Sequence, residues 1–447
     1  MPITNRGVVA LALRRRQAPH RPIPSLKPPM GTVKRIPVDQ LKPGMFVVAL
    51  DRPWLKTPFL LHQRHIKQPK EILTLKRYGI QHVTIDVTKG ADVDEHSAPP
   101  PIDQADQGAA AACSFAEANT PQARSKALQA ARQTYDEARA TVDRFFEEAS
   151  RKPRAGADAL AGIVGSLLDR LLADRTAMLT HLFIRQMREY DRELSTHALD
   201  TGVLTLLFGA TYGLSGSDLE DAGLAALLHD IGYLRLPRNV FRKAHQCSER
   251  ERRLMEQHPR LGATLLKAQA SVRDTVWHAV EQHHERIDGS GFPARLSGVR
   301  LSSLGQLVGL ADAYQSLVCP RSGTAPLLPH RAVAQMFSWG QQGVFDRTLV
   351  EAAIACLGIY PIGSLVQLNS GERAIVVAAN PHHRLHPVIA IIADAQGHPY
   401  RDPLYVDLSA QDATGPTRMI VQTMDPAREH VDVAVYLDPS PPKRAVS

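Results

Sequence analysis

The run from Leu224 to Tyr233 is apolar and helical in pattern, and near its end stands His229-Asp230, a neutral nitrogen donor beside an anionic oxygen donor. Burying such a pair is costly unless a cation sits between the two or each satisfies the other. Taken alone, it reads most simply as a core histidine satisfied by its aspartate. The rest of the chain reverses that reading. Glu193 and His197 stand four apart, which on a helix sets both side chains on one face about a turn from each other, suitable for two ligands of one metal. His258 opens a His-Pro-Arg-Leu-Gly stretch, His283 and His284 precede Glu285, and Asp312 lies within a further apolar helical run. Adjacent histidines on a helix differ by about 100° in direction, so they suit two neighbouring metals better than one. The pattern points to a multinuclear centre of two or three divalent ions. Nitrogen and oxygen donors without thiolate fit iron, manganese or zinc, and the mixture of imidazole with carboxylate favours iron or manganese.

These residues need helices to hold them. Residues 185–360 are predicted to form an all-α domain, with apolar-periodic segments including His197–Ala210, Ser217–Leu228, Ser248–Lys267, Val272–His284, Leu304–Leu317 and Asp346–Cys356. Ahead of it, residues 122–184 read as a helical connector whose apolar face can serve a second subunit, giving a homodimer, or pack within one chain. Residues 31–90 alternate and break as a small α+β module. There His62 and His65 have no acidic ligand close by and read as surface histidines. Residues 91–121, rich in Ala, Asp, Gln, Ser and Pro, read as a linker. After Tyr360-Pro361 the pattern becomes strand-like, giving a β-rich appendage over 361–436 and a tail over 437–447. The expected class is therefore mainly α, with small flanking modules.

Composition bounds the setting. The chain has 447 residues, a hydrophobic content of 44% and a formal net charge of +8. Most of that charge sits in residues 1–30, a basic tail (Arg6, Arg14, Arg15, Arg16, Arg21, Lys27) without an acid, so a nucleic-acid partner is not expected. The first folded-looking segment begins at Met30, where the true start is expected. Cys113, Cys247, Cys319 and Cys356 show no CxxC spacing, which fits a reducing, cytoplasmic setting. The apolar run Gly7–Leu13 is short and precedes its arginines, the wrong order for a secretory signal, and no stretch approaches a membrane span.

The order His197, His229-Asp230, His258, His283-His284, Asp312, the loop HHERIDGSGFP from His283 to Pro293, and the strings Gly343–Asp346 and Leu357–Pro361 resemble the HD-GYP family, a branch of the HD phosphohydrolases. The likeness covers about residues 185–370, and residues 33–90 resemble a module often attached to that family. The resemblance implies hydrolysis of cyclic di-GMP to the linear dinucleotide or GMP, with Asp230 and a hydroxide bridging two metals and Glu193 accompanying a third. It also implies substrate contacts from Gly291, Phe292, Pro293 and Arg321. The family's lysine after the motif aspartate is Tyr233 here, its signature tyrosine is Phe292, and the acid three residues after Asp312 is Gln315. Thr324 replaces a further basic residue. A tyrosine hydroxyl is neutral at pH 7, so the phosphate clamp is weaker than usual. Two classes of function follow: a metal-dependent phosphodiesterase, slow for want of a cation at Tyr233, or a non-hydrolytic cyclic di-GMP receptor or interaction module acting through signalling-protein partners. Another HD-type nucleotide phosphohydrolase is the third alternative.

Overall fold

The structure is a computed structural model describing residues 33–50, 64–66, 72, 75–76, 80–86, 121–151, 157–188, 193–237, 248–320, 324–380, 383–411 and 417–438. It divides into two compact units, Met1–Pro99 and Pro100–Ser447.

In the first unit, strands β1 (Val33–Pro37), β2 (Phe46–Leu50), β3 (Arg64–His65) and β4 (His82–Asp86) form an antiparallel sheet in the order β1-β4-β2-β3. Its core gathers Ile36, Val38, Met45, Val47, Ile66, Leu75, Ile80, Val83 and Ile85. Gly44 makes the turn before β2 with φ +94°, a conformation open to glycine at little steric cost. His62 lies outside the described residues, as do the basic tail and nearly all of the linker.

The second unit is mainly helical: α1 (Pro121–Arg151), α2 (Asp158–Ala173), α3 (Arg175–Arg188), α4 (Leu194–Tyr212), α5 (Gly216–Leu228), α6 (Glu249–Met255), α7 (His258–Lys267), α8 (Asp274–Gln282), α9 (Ser303–Val318), α10 (Pro329–Gln342) and α11 (Arg347–Leu357). Helix α4 is the axis, buried from Ser195 to Gly209 and enclosed by α1, α5, α9 and α11. A helix apolar on all sides is one surrounded by others.

Two departures from the sequence reading matter for the site. The segment expected as one helix over 248–267 is two. Helix α6 opens with a capping box between Ser248 and Glu251, ends at Met255, and α7 restarts at His258-Pro259. Proline suits a first helical turn because its missing N–H would have had no helical partner. The expected helix from Val272 ends at Gln282, so His283 stands at a helix C-terminus and His284 beyond it.

After α11 the chain forms a five-stranded antiparallel sheet in the order β8-β7-β6-β5-β9, with β5 Leu365–Leu368, β6 Arg373–Ala378, β7 Val388–Ala393, β8 Pro399–Asp407 and β9 Ile420–Thr423. The first three of these strands lie where the sequence places them, but β6 and β7 are buried almost throughout rather than at alternate residues. Strand β9 and the closing helix α12 (Val433–Leu437) were not anticipated individually. The guanidinium of Arg124 on α1 lies 5.0 Å from the Tyr405 ring centre, and Arg132 pairs with Asp438 at 3.2 Å, so the connector and this sheet share one unit.

Candidate metal centre

Five helical segments converge on one point. His197 comes from the first turn of α4, His229 and Asp230 from the end of α5, His258 from the start of α7, His283 and His284 from the end of α8, and Asp312 from α9. Close approach of these helices depends on glycines. A Cβ on Gly232 would stand 1.9 Å from the His258 carbonyl oxygen, and one on Gly309 would stand 2.0 Å from that of His283. No side chain fits in either gap.

The side chains form two groups, Asp230, His258, His283, His284 and His197, His229, Asp312. Asp230 faces both. Its Oδ1 lies 3.2 Å from His258 Nε2 and 3.9 Å from His283 Nε2, whereas its Oδ2 lies 3.4 Å from His229 Nε2 and 3.9 Å from His197 Nε2. Asp312 Oδ1 is 3.0 Å from His197 Nε2, and its Oδ2 is 3.8 Å from His284 Nδ1. Ligands about 2.1 Å from a shared ion are separated by roughly 3 Å or more from one another, the spacing found here.

The outer ring nitrogens fix the inner ones. The Nδ1 atoms of His229, His258 and His283 each lie 2.7 Å from the carbonyl oxygen three residues earlier, Ala226, Met255 and Val280. Each Nδ1 therefore carries the proton and donates it outward, leaving an Nε2 lone pair aimed into the centre. His258 Nε2 and His283 Nε2 then face each other at 3.2 Å, and His229 Nε2 is buried without a hydrogen-bond partner. Converging lone pairs repel unless a cation lies between them, so this donor set fits divalent metal ions. Burial and the neighbouring His229 and His258 lower the His283 pKa to about 3, and burial with His283 holds His284 well below the usual range. Both stay neutral, as metal-ligating imidazoles must. For Asp312 burial alone would raise the pKa, but its hydrogen bond to His197 and the imidazoles of His284, His197 and His229 hold it well below the carboxylate range.

Glu193 is in neither group. It is the exposed N-cap residue of α4, in extended conformation, and its carbonyl accepts the His197 N–H at 3.1 Å, so it enters the helix one turn before His197. Arg321 lies outside the described residues. Tyr233 sits on the short 3-10 segment Ile231–Arg235, its ring stacked on His258 at 4.0 Å and 13°. Phe292 stacks on His284 at 4.5 Å and 29°.

Glu285 and Arg286 shape the loop that carries Phe292, which sequence reasoning did not assign. The buried Glu285 carboxylate accepts Ala294 N–H at 2.6 Å and Leu296 N–H at 2.8 Å, folding the 289–296 loop against the end of α8. Arg286 donates to the carbonyls of His283 at 3.0 Å and Glu285 at 2.8 Å. The acidic residue directly after two candidate ligands was the available signal. Gly291 lets the loop close, because a Cβ there would lie 2.4 Å from the His284 carbonyl oxygen. Beside it opens a cavity of about 370 Å³ lined by Gly291, Phe292, Pro293, Arg253, Glu256 and Arg295, among others. Arg295 holds φ +52°, a strained conformation for a side-chain-bearing residue.

Three family matches run along the chain: a domain of unknown function (DUF3391) over residues 33–159, an HD domain over 167–349 and a KOW domain associated with HD domain over 365–429. A cyclic di-GMP phosphodiesterase of Pseudomonas aeruginosa is 28% identical over 371 residues, covering 81% of this chain and 86% of that one. The HD domain, with the KOW domain associated with it, marks the chain as an HD-domain protein. Other relatives match over shorter lengths. A cyclic di-GMP phosphodiesterase of Vibrio cholerae is 33% identical over 29% of this chain and 28% of its own. A 3'3'-cGAMP-specific phosphodiesterase of the same organism is 27% identical over 30% of this chain and 26% of its own. Among the described residues no helix is long and apolar enough to cross a membrane.

Proposed function

We propose that this chain is a metal-dependent cyclic di-GMP phosphodiesterase. The observation that carries the reading is the Asp230 carboxylate, whose two oxygens face two separate imidazole groups. Divalent ions bound there, with iron or manganese favoured over zinc, would lower the pKa of bound water towards ~7 and neutralise phosphodiester charge. No protein nucleophile is required.

The remaining roles belong to the chain's own groups. The carbonyls of Ala226, Met255 and Val280 hold three imidazoles in one tautomer, so their lone pairs are in place before substrate arrives. Phe292 and Tyr233 cover the imidazoles of His284 and His258 and exclude water from that side. Arg253 and Arg295, at the cavity wall, meet the substrate's negative charge that the missing family lysine would have met. Arg321 is assigned a phosphate contact on the resemblance alone.

A second reading has one observation in its favour. Tyr233 brings an aromatic ring rather than a cation to the edge of the centre, which suits a receptor that holds cyclic dinucleotide without cleaving it. The test is an anaerobic assay of full-length protein loaded with iron or manganese, offered cyclic di-GMP and 3'3'-cGAMP separately. Turnover of cyclic di-GMP to linear dinucleotide or GMP is expected. Saturable binding without product under every metal would leave the receptor reading, and selective turnover of 3'3'-cGAMP would reassign the substrate.

A further inference from the structure

A second buried polar cluster lies one helical turn from the metal-facing groups and takes no part in them. Asp200 follows His197 by three residues on α4 and is 1% exposed. Its Oδ1 accepts a hydrogen bond from the Tyr135 hydroxyl at 2.5 Å, and its Oδ2 accepts from Gln315 Nε2 at 2.7 Å and from the Arg185 guanidinium. Gln315 in turn follows Asp312 by three residues on α9, and its Oε1 accepts from Gln186 Nε2 at 2.8 Å. Helices α4 and α9 are thus joined by two rungs a turn apart, His197 to Asp312 at 3.0 Å and Asp200 to Gln315 at 2.7 Å.

Position 315 is where the resemblance places an acid. Here an amide stands at 315 and the carboxylate stands opposite, at 200. The Arg185 guanidinium, buried in the same cluster, needs one anion, since a lone buried charge is costly. A second carboxylate facing the first would add like-charge repulsion. One negative charge is therefore required across the pair, and Asp200 supplies it. Tyr135 belongs to α1 and Arg185 to α3, so this rung is also where the connector helices grip the two helices that carry His197 and Asp312.

We propose that Asp200 is a positioning residue for the His197–Asp312 pair, supplying from α4 the single buried carboxylate that fixes α4 against α9 one turn away from the candidate ligands. Burial raises the Asp200 pKa, while Arg185 and the hydrogen bonds from Tyr135, Arg185 and Gln315 oppose that shift. The inference rests on reading the His and Asp groups as a metal centre.

Four forms of the full-length protein test it: the native chain, Asp200→Asn, Gln315→Asp and the double variant. Each is measured for Mn²⁺ affinity by chelator competition, for kcat and KM on cyclic di-GMP, and for thermal midpoint. Each single change should weaken affinity for at least one Mn²⁺ by about tenfold and lower kcat by a similar factor with KM little changed, as expected for ligands moved out of position. The double variant, which moves the carboxylate to α9, should recover both to within about threefold. A double variant no better than the worse single, or single variants that lose only thermal midpoint, would overturn the proposal. If either single variant does not fold, Tyr135→Phe carries the test: about threefold weaker Mn²⁺ affinity is expected from the loss of one hydrogen bond, and unchanged affinity overturns it. Native protein that takes up no Mn²⁺ would defeat the metal-centre reading as well, whereas native uptake with unaffected variants defeats this inference alone.

Discussion

Two clusters of buried polar side chains lie side by side between α4 and α9, and they are built on opposite plans. In the His and Asp groups three imidazoles send their hydrogen bonds outward, to main-chain carbonyls, and turn their remaining lone pairs towards the carboxylates and one another. Around Asp200 the hydrogen bonds run inward, with donors from three helices closing on one carboxylate. The first arrangement is incomplete without a cation, whereas the second supplies its own in Arg185. Burial alone therefore does not mark a functional site. The direction in which the partners point does.

The largest expected effect tests the open cluster. Asp230→Ala should lower turnover by about 10³-fold or more and lose bound metal while circular dichroism stays native. Retained metal with retained activity would make Asp230 an ordinary core acid. Next comes the close packing that lets the open cluster form. Gly309→Ala places a methyl group against the His283 carbonyl and should cost about 3 kcal/mol in denaturant unfolding. Gly162→Ala, in an exposed part of α2 with nothing within 4 Å, should instead add about 0.5–1 kcal/mol. Equal effects would remove the distinction.

Smaller effects sharpen the comparison at its edges. Tyr233→Lys should raise kcat about tenfold if the absent cation limits the native rate. An unchanged rate would mean that other groups already meet the phosphate charge. Arg295→Ala should raise KM by about threefold with kcat unchanged, as expected of a cation in a solvent-facing cavity wall. An unchanged KM would remove Arg295 from the substrate site.

A pH-dependent effect belongs to the closed cluster. His181 is buried with its ring edge on Tyr135, and burial, with Arg132 and Arg185 nearby, lowers its pKa to about 4. The unfolded chain takes up that proton first, near pH 6.5, so the contribution to stability is complete above about 6.5 and lost as pH falls towards 4. His181→Phe should flatten this dependence by roughly 2 kcal/mol between pH 7 and 4.5 in urea titrations. An identical slope in both proteins would place the acid sensitivity elsewhere.

Much of this was legible in the chain. Helical periodicity, the strand-like C-terminal pattern and the spacing of His197, His229-Asp230, His258, His283-His284 and Asp312 are local or ordered along the sequence, and residue types alone name nitrogen and oxygen donors. The i,i+4 spacing of Glu193 and His197 presumes that both residues are helical, whereas the structure makes Glu193 the N-cap of α4. Glu285 and Asp200 went unassigned for a related reason. Their partners lie between 9 and 115 residues away, so their value depends on which segments meet.

By itself, then, the sequence determined the donor types, their order and the helices that carry them. Only the tertiary structure decided that one aspartate faces two groups, that three imidazoles present the same nitrogen inward, and that the Asp200 carboxylate meets the Gln315 amide. The reason is physical. Side-chain chemistry and periodicity belong to the local chain, but the direction of a lone pair and the neighbour of a buried charge are set by how helices pack, down to the gaps that Gly232 and Gly309 leave open.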